Sequence, residues 1–583
     1  MRVGLTSKGK QLFLNQKEIQ IISGAIHYFR IVPEYWQLRL KQLKAGGFNC
    51  VELYVPWNLH EPKEGKFNFE GIADLERFLN LALEEELYVI FRPSPYICAE
   101  WEFGGFPYWL NKYTNIQLRC DNIIFLEKVK NYYDTLIPIF KPYMFENNGN
   151  IIAIQIENEY GSYGNDKEYL RKIKQMFIDQ GIETLYFTSD GPTDMMLQGG
   201  TLEDTLMTVN YGSKTDEAFE KLNEYQTNKP EICMEFWIGW FDHWGNKRIT
   251  RDYEDMMFDF KKILDRNASV NFYMFSGGTN FGFFNGANYE KKFLPTQTSY
   301  DYDALIGEDG NPTKKYYKVR EEISKRFNRT LPTIPEVPKK INYGKVKLNS
   351  YVSLFSSLDT IGNKYTTTTP MPMEKLDQDY GFIAYKTHIS GPRTESLLTI
   401  DKLHDRALVF FNGEYIKTLE RFGDLELKLT IPNGGGDLLI LVENMGRINY
   451  GYKLGEFKGI TNTVRLERQI LFHWETWTLP MNNLKNLKFQ NLVENLKDEP
   501  AFYKGEFEVN EIGDTFINFD NWKKGVIFIN GFNIGRYWEV GPQKTLYLPG
   551  PLLKKGKNEI LIFELYKNGK DIYLTNNQNL GEV

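Results

Sequence analysis

Asn150-Ile151-Ile152-Ala153-Ile154-Gln155-Ile156-Glu157-Asn158-Glu159-Tyr160-Gly161 begins as an apolar run rich in Ile and ends in two carboxylates flanking an amide. The run reads as a fully buried parallel strand. A buried strand that delivers Glu-Asn-Glu at its carboxyl end puts charge where a packed core would not hold it. Those groups are therefore either paired internally or turned towards a site. Folds of the α/β class place their chemistry at the carboxyl ends of strands, which favours a site.

Outward from this strand the pattern repeats in both directions. After a short polar leader, strands are predicted at 19–26, 49–54 and 87–92, and beyond it at 185–188, 206–210, 232–235 and 270–275. Helical spacing separates them. Pro33 opens one helix that Gly46-Gly47 stops, and others span 71–86, 122–145, 166–180, 215–225, 252–264 and 314–327. Eight strands alternating with helices predict an α/β fold of the (β/α)8 TIM-barrel type. A doubly wound open sheet also alternates, but no GxGxxG turn follows the first strand.

Beyond Leu331 the texture changes. Pro332, Pro335 and Pro338 mark a linker, and short alternating runs broken by Gly, Pro and Asn follow from about Tyr343. Leu408-Val409-Phe410-Phe411-Asn412-Gly413 is echoed by Val526-Ile527-Phe528-Ile529-Asn530-Gly531. Later, 429–443 is echoed by 546–564. Two related all-β sandwich domains are expected. The boundaries read as a barrel over 1–331, a linker over 332–342, and β-domains over 343–485 and 486–583.

A chain of 583 residues is too long for one core, which agrees with several domains. A net charge of −6 without a long basic run argues against nucleic acid as a partner. No apolar run approaches the ~18 residues a membrane span needs, and the first 24 residues lack the apolar core of a secretion signal. Cys50, Cys98, Cys120 and Cys233 have neither paired nor CxxC spacing. Reduced thiols in a cytoplasm are the expectation. Aromatics expected on the β-domain surfaces suit a homodimer.

A barrel gathers the last residues of its strands into one ring. Here that ring holds Tyr54, Glu100, Asn158, Glu159, Glu235 and Tyr273, with Tyr300 and Tyr302 in the loop after the eighth strand. Cleaving a glycosidic bond needs two carboxyls flanking the anomeric carbon, one protonated and one ionised. Aromatic faces suit the C–H side of a sugar. Each residue also has a plainer role. Glu157 falls on the same face of an extended strand as Glu159 and offers it a structural partner, and the tyrosines suit core packing. Glu235 lies between Ile232-Cys233-Met234 and Phe236-Trp237, where an unpaired carboxylate is costly. A metal site is poorly supported, because His60-Glu61-Pro62-Lys63-Glu64 lacks the second His of HExxH and Pro breaks its helix. His27, His60 and His243 are expected to be satisfied or sugar-contacting, so no metal or other cofactor is expected. No GxSxG elbow is present, and 550–557 reads as a turn rather than a phosphate loop.

The motifs WNLHEP (57–62), ICAEWEFGG (97–105), QIENEYGSYG (155–164), MEFWIGWFDHWG (234–245), NFYMFSGGTNFG (271–282) and TSYDYDA (298–304) resemble glycoside hydrolase family 35, the β-galactosidases. ENMGRINYG (443–451) and 525–549 resemble that family's middle and last domains, which implies jelly-roll-like, galactose-binding-like sandwiches, so the resemblance covers nearly the whole chain in order. It implies Glu159 as general acid/base after the fourth strand and Glu235 as nucleophile after the seventh. It implies Asn158 on the sugar 2-hydroxyl, Tyr54, Ala99, Glu100 and Tyr302 on galactose, and Trp237, Trp240, Tyr273 and Tyr300 in the pocket wall. Trp237 stands where several relatives have Tyr. The implied reaction is exo-hydrolysis of terminal β-galactosides by double displacement, with carboxyl oxygens ~5–5.5 Å apart. A β-1,3-linked galactosyl oligosaccharide is the substrate expected by analogy with compact relatives. The alternatives are a sister β-glycosidase, exo-glucosaminidase or transglycosidase on the same scaffold, and a carbohydrate-binding protein without turnover.

Overall fold

A computed structural model describes residues 4–93, 95–493, 497–566 and 570–583. Eight parallel strands close into a barrel, each followed by a helix: β1 (Ile22–Ala25), α1 (Trp36–Ala45), β2 (Cys50–Tyr54), α2 (Leu75–Glu84), β3 (Tyr88–Arg92), α3 (Ile123–Phe140), β4 (Ile151–Gln155), α4 (Lys167–Asp179), β5 (Leu185–Asp190), α5 (Asp194–Gly200), β6 (Leu206–Tyr211), α6 (Thr215–Tyr225), β7 (Ile232–Trp237), α7 (Tyr253–Asp265), β8 (Ser269–Tyr273) and α8 (Lys314–Arg326). All eight expected strands are present, and closure runs through Val270 of β8 opposite Ile22 of β1. Two pieces escaped the sequence reading. The polar leader forms a three-stranded antiparallel meander (Leu5–Lys8, Gln11–Leu14, Lys17–Ile19), and α5 lies between β5 and β6.

Local chemistry sets the helix starts. Side chains of Asp74, Asn122, Asp166 and Asp252 accept backbone N–H groups at the N-termini of α2, α3, α4 and α7. This satisfies donors that the first turn leaves open, typically worth about 1 kcal/mol each. The apolar residues between strands and helices form one core, and Cys50, Ile90, Ile152, Phe187 and Met234 of the strands form a second with Leu5, Leu12 and Leu14 of the meander.

One strand departs from regular pairing where it matters. Cys233 of β7 sits opposite Val209 of β6, yet the next partners are Glu235 and Asn210, so Met234 is an extra residue. A bulge of this kind re-aims the following side chain, and here it sets Glu235 beside Asn210.

The β-domains carry the predicted echo. Arg406–Phe411 and Glu414–Glu420 form a hairpin across Asn412-Gly413, and Lys524–Ile529 and Phe532–Trp538 form its counterpart across Asn530-Gly531. All four turn residues have positive φ, the two-residue type I′ geometry for which Asn-Gly is favoured. Residues 550–552 form a short turn of helix between strands, as expected of a connection.

The expected boundary at 343 needs correction. Gly344–Ser353 pairs with Ala501–Val509 on one side and Asp571–Thr575 on the other. This strand therefore completes the sheet of the last domain, and the middle domain's sheets begin at Asn363–Thr367. The strand alternates like any other, and nothing local says which edge it will join. The two β-domains pack through a shared apolar layer that includes Phe382, Leu408, Phe410, Phe502, Val526, Phe528 and Phe563.

The middle domain also docks on the barrel through buried charge. Arg447 donates to Glu102 of the barrel at 2.6 Å, to Glu374 at 2.7 Å and to the Asp379 carbonyl at 2.6 Å. Nearby, the Tyr96 hydroxyl donates to the Asn449 carbonyl at 2.6 Å. These contacts carry the 443–451 segment to the barrel mouth.

Candidate active site

A cavity opens at the carboxyl ends of the barrel strands. Tyr54, Ala99, Glu100, Asn158, Glu159, Glu235, Trp237, Trp240, Tyr273 and Tyr302 all line it. These are the expected site residues with one exception. Tyr300 stands behind the wall, 1% exposed, with the Arg30 guanidinium 3.7 Å over its ring. Its hydroxyl donates to Glu100 at 2.6 Å and lies 3.1 Å from the Tyr273 hydroxyl. Tyr300 thus orients two lining residues and is not itself the wall.

The two strand-end carboxyls have unequal surroundings. Glu235 Oε1 accepts from the Tyr54 hydroxyl at 2.5 Å and from Arg92 Nη2 at 2.9 Å, while Oε2 accepts from Trp237 Nε1 at 3.1 Å. The carboxylate that looked costly in an apolar run is therefore served by three donors. Arg92 is fully buried and also reaches Glu52 Oε1 at 3.1 Å and Asn158 Oδ1 at 2.8 Å. Burial nevertheless pushes Glu52 up to about 7, against the pull of Arg92.

Glu159 accepts one hydrogen bond in this ring, from Asn210 Nδ2 to Oε1 at 2.8 Å. Burial first, and the Glu235 charge second, push its carboxyl well above the ordinary range; the Asn210 N–H and Arg92 pull the other way. A carboxyl so placed keeps its proton near neutrality. Burial also pushes Glu100 up to about 7, opposed by the Tyr300 hydroxyl and Arg30.

Glu157 corrects the sequence reading. It does not pair with Glu159: Arg119 Nε and Nη2 grip its two oxygens at 2.8 and 2.7 Å, and the Tyr169 hydroxyl adds a third bond at 3.1 Å. The strand ends at Gln155, and Glu157 and Glu159 both take positive φ, 58° and 45°. The extended alternation that would place them on one face is gone. Further strain lies in the loop after β3, where Cys98, Ala99 and Glu100 are consecutive left-handed residues without a glycine (φ 56°, 52° and 47°). Such strain costs of order 1–3 kcal/mol per residue and clusters at functional sites. Ala99 is held there by Arg30, whose Nη2 donates to the Ala99 carbonyl at 2.6 Å.

Of the three histidines, only His243 lines the cavity, where Nε2 is 2.9 Å from Asn288 Oδ1. His27 Nδ1 is 2.5 Å from Arg30 Nη1, and His60 Nε2 is 2.6 Å from the Tyr28 hydroxyl. Burial keeps His27 below the ordinary range and His60 down at about 4. Among the described residues, no group of three His, Cys, Asp or Glu is placed to hold a metal.

The sequence reading missed Asn210, Arg92, Arg30 and Arg119, which hold the site from behind. It also missed the outer rim. Asn288, Glu290 and Leu294 reach it from a hairpin (Ala287–Tyr289 and Phe293–Pro295), and Tyr450 from the middle domain. ENMGRINYG reads as a domain signature, and its signal for a site is the tyrosine.

A model of glycosyl hydrolases family 35 matches residues 11–326, which span the barrel that carries this cavity. The chain belongs to this family. Family 35 membership extends past the barrel: residues 370–480 match the first all-β domain of β-galactosidase, and 500–558 its galactose-binding domain. Beta-galactosidase-1-like protein 3 of Mus musculus is 40% identical over all of this chain and 91% of its own length. Beta-galactosidase 17 of Arabidopsis thaliana is 40% identical over 96% of this chain and 86% of its own. A beta-galactosidase of Xanthomonas manihotis is 39% identical over 93% and 91%. This family 35 chain is a glycoside hydrolase of the β-galactosidase type. No described helix is long and apolar enough to cross a membrane.

Proposed function

We propose that the protein is a retaining exo-β-galactosidase that releases terminal β-galactosyl residues by double displacement. The observation that carries this reading is the electrostatic inequality of the two cavity carboxyls. Glu235 accepts three donors, one of them an arginine, as a nucleophilic carboxylate needs. Glu159 is partly buried with its carboxyl raised, as a general acid needs. In the first step Glu235 attacks the anomeric carbon, the glycosidic C–O bond breaks, and Glu159 gives its proton to the leaving oxygen. The resulting ester has no charge, so Glu159 loses the part of its rise that the Glu235 charge supplied and takes a proton from water. That water attacks the anomeric carbon and frees Glu235. The mechanism calls for carboxyl oxygens about 5–5.5 Å apart.

Asn158 Oδ1 accepts from Arg92, which turns its N–H2 towards the cavity for the sugar 2-hydroxyl. Glu100, the Ala99 backbone, Tyr54 and Tyr302 surround the galactose, and Trp237, Trp240 and Tyr273 supply apolar faces. The β-1,3 linkage is the first to test in oligosaccharides. The substrate test compares p-nitrophenyl β-galactoside with its gluco and N-acetylglucosamine counterparts. The reading expects kcat/KM for the galactoside to exceed that for the C4 epimer by about 100-fold or more, the discrimination that misplacing one hydrogen-bonded hydroxyl brings. Preference for either counterpart would overturn the substrate, and binding without turnover of any would overturn the enzyme.

A further inference from the structure

Asn210 occupies the end of β6, fully buried, with two side-chain contacts. Its Nδ2 donates to Glu159 Oε1 at 2.8 Å, and its Oδ1 accepts from the Ser189 hydroxyl, at the end of β5, at 2.6 Å. Turning the amide over would set Oδ1 against Glu159 Oε1, a repulsive contact whenever that carboxyl is ionised. It would also take from the Ser189 proton the acceptor it has. The observed orientation is thus the one that serves both neighbours.

An amide N–H2 only donates. Glu159 Oε1 therefore faces a donor in both protonation states and has no acceptor there for a proton of its own. We infer that Asn210, oriented by Ser189, confines the Glu159 proton to Oε2 and so fixes the oxygen from which it is delivered to the departing group. In the first step the Oε2–H bond breaks as the proton passes to the glycosidic oxygen. Oε1, until then the carbonyl oxygen, takes half of the new carboxylate charge against an N–H already in place. No donor has to move at the transition state, which is how preorganised dipoles accelerate reactions. The backbone supports the same pose: Asp190, next to Ser189, accepts from Gly161 N at 2.7 Å, and the Ser162 hydroxyl donates to the Glu159 carbonyl at 2.7 Å. Strands β5 and β6 thus act as a brace for the carboxyl at the end of β4. Asn210 is a positioning residue, since it acts through Glu159.

The inference rests on Glu159 being the general acid, and its test separates the two claims by leaving group. Aryl β-galactosides are compared from 2,4-dinitrophenyl, whose phenolate leaves without a proton, to phenyl, which needs one. Glu159→Ala is the reference: it should lose far more kcat/KM on phenyl than on dinitrophenyl galactoside, and equal losses there would overturn the acid assignment itself. Given that pattern, Asn210→Ala should lose about 10- to 100-fold on phenyl galactoside, the range for a hydrogen bond to a charged group. On dinitrophenyl galactoside it should stay within about threefold, because that leaving group makes no demand on the acid. Ser189→Ala, which removes one oxygen and leaves the amide free to turn, should show the same skew at smaller size and serves if Asn210→Ala does not fold. A loss equal across leaving groups in these variants would make the pair structural and overturn the inference, as would no loss at all.

Discussion

Tyr54→Phe isolates one bond on the proposed nucleophile. The Tyr54 hydroxyl donates to Glu235 Oε1 at 2.5 Å, and its other neighbour, Asn158 Oδ1, is at 3.3 Å, so its single proton serves Glu235. The ring is 1% exposed, packs edge-on against His27 and Tyr273, and lies 4.1 Å beneath Arg92. Phenylalanine keeps all of those contacts and leaves no cavity. The change therefore removes one hydrogen bond to a charged acceptor, about 1.5–3 kcal/mol, while Arg92 and Trp237 keep theirs. If the bond orients the attacking oxygen, kcat/KM falls by about 10- to 150-fold. The assay is initial rates on aryl β-galactosides, with thermal unfolding alongside to show an unchanged fold. A loss below about twofold would mean that the hydroxyl does not govern Glu235. A loss above about 10⁴-fold would give Tyr54 a role that one positioning bond cannot supply.

Two further predictions concern charge. Glu159 is raised by burial and then by Glu235, so it holds its proton below its shifted pKa and loses it as pH rises through that value. The alkaline limb of kcat/KM should lie above the ordinary carboxyl range, and Glu235→Gln, by removing the neighbouring charge, should move the Glu159 titration to lower pH. Carbon-13 NMR of labelled glutamate side chains reads this directly, and an unchanged titration would contradict the coupling. Arg447→Met leaves Glu102 and Glu374 buried without their partner, which should cost about 3–5 kcal/mol. Calorimetry should show a lowered unfolding temperature, partly regained when Glu102→Gln and Glu374→Gln are added; an unchanged single variant would show that the interface does not depend on the pair.

The barrel was legible because its strands are short apolar runs set between helices of regular period, and because the site residues cluster where those runs end. Glu159 and Glu235 could be placed by counting strands. The residues that make these carboxyls unequal were not legible. Arg92 reads as the tail of an apolar strand, Asn210 as one amide before a turn, and Arg119 is 38 residues from the Glu157 it pairs with. The bulge at Met234 and the left-handed run at 98–100 leave no mark in composition, since no glycine announces them. Gly344–Ser353 went to the wrong domain because strand pairing across more than 150 residues is a tertiary choice. Tyr450 reaches the mouth on a segment that Arg447 and Asn449 help to dock on the barrel.

Glu235 is proposed to form the covalent intermediate. Incubation with 2-deoxy-2-fluoro-β-galactosyl fluoride, followed by intact mass and peptide mapping, tests it most directly. A single fluorogalactosyl adduct is expected on the peptide carrying Glu235. An adduct on Glu159 or elsewhere, or none while galactosides are still hydrolysed, would contradict it.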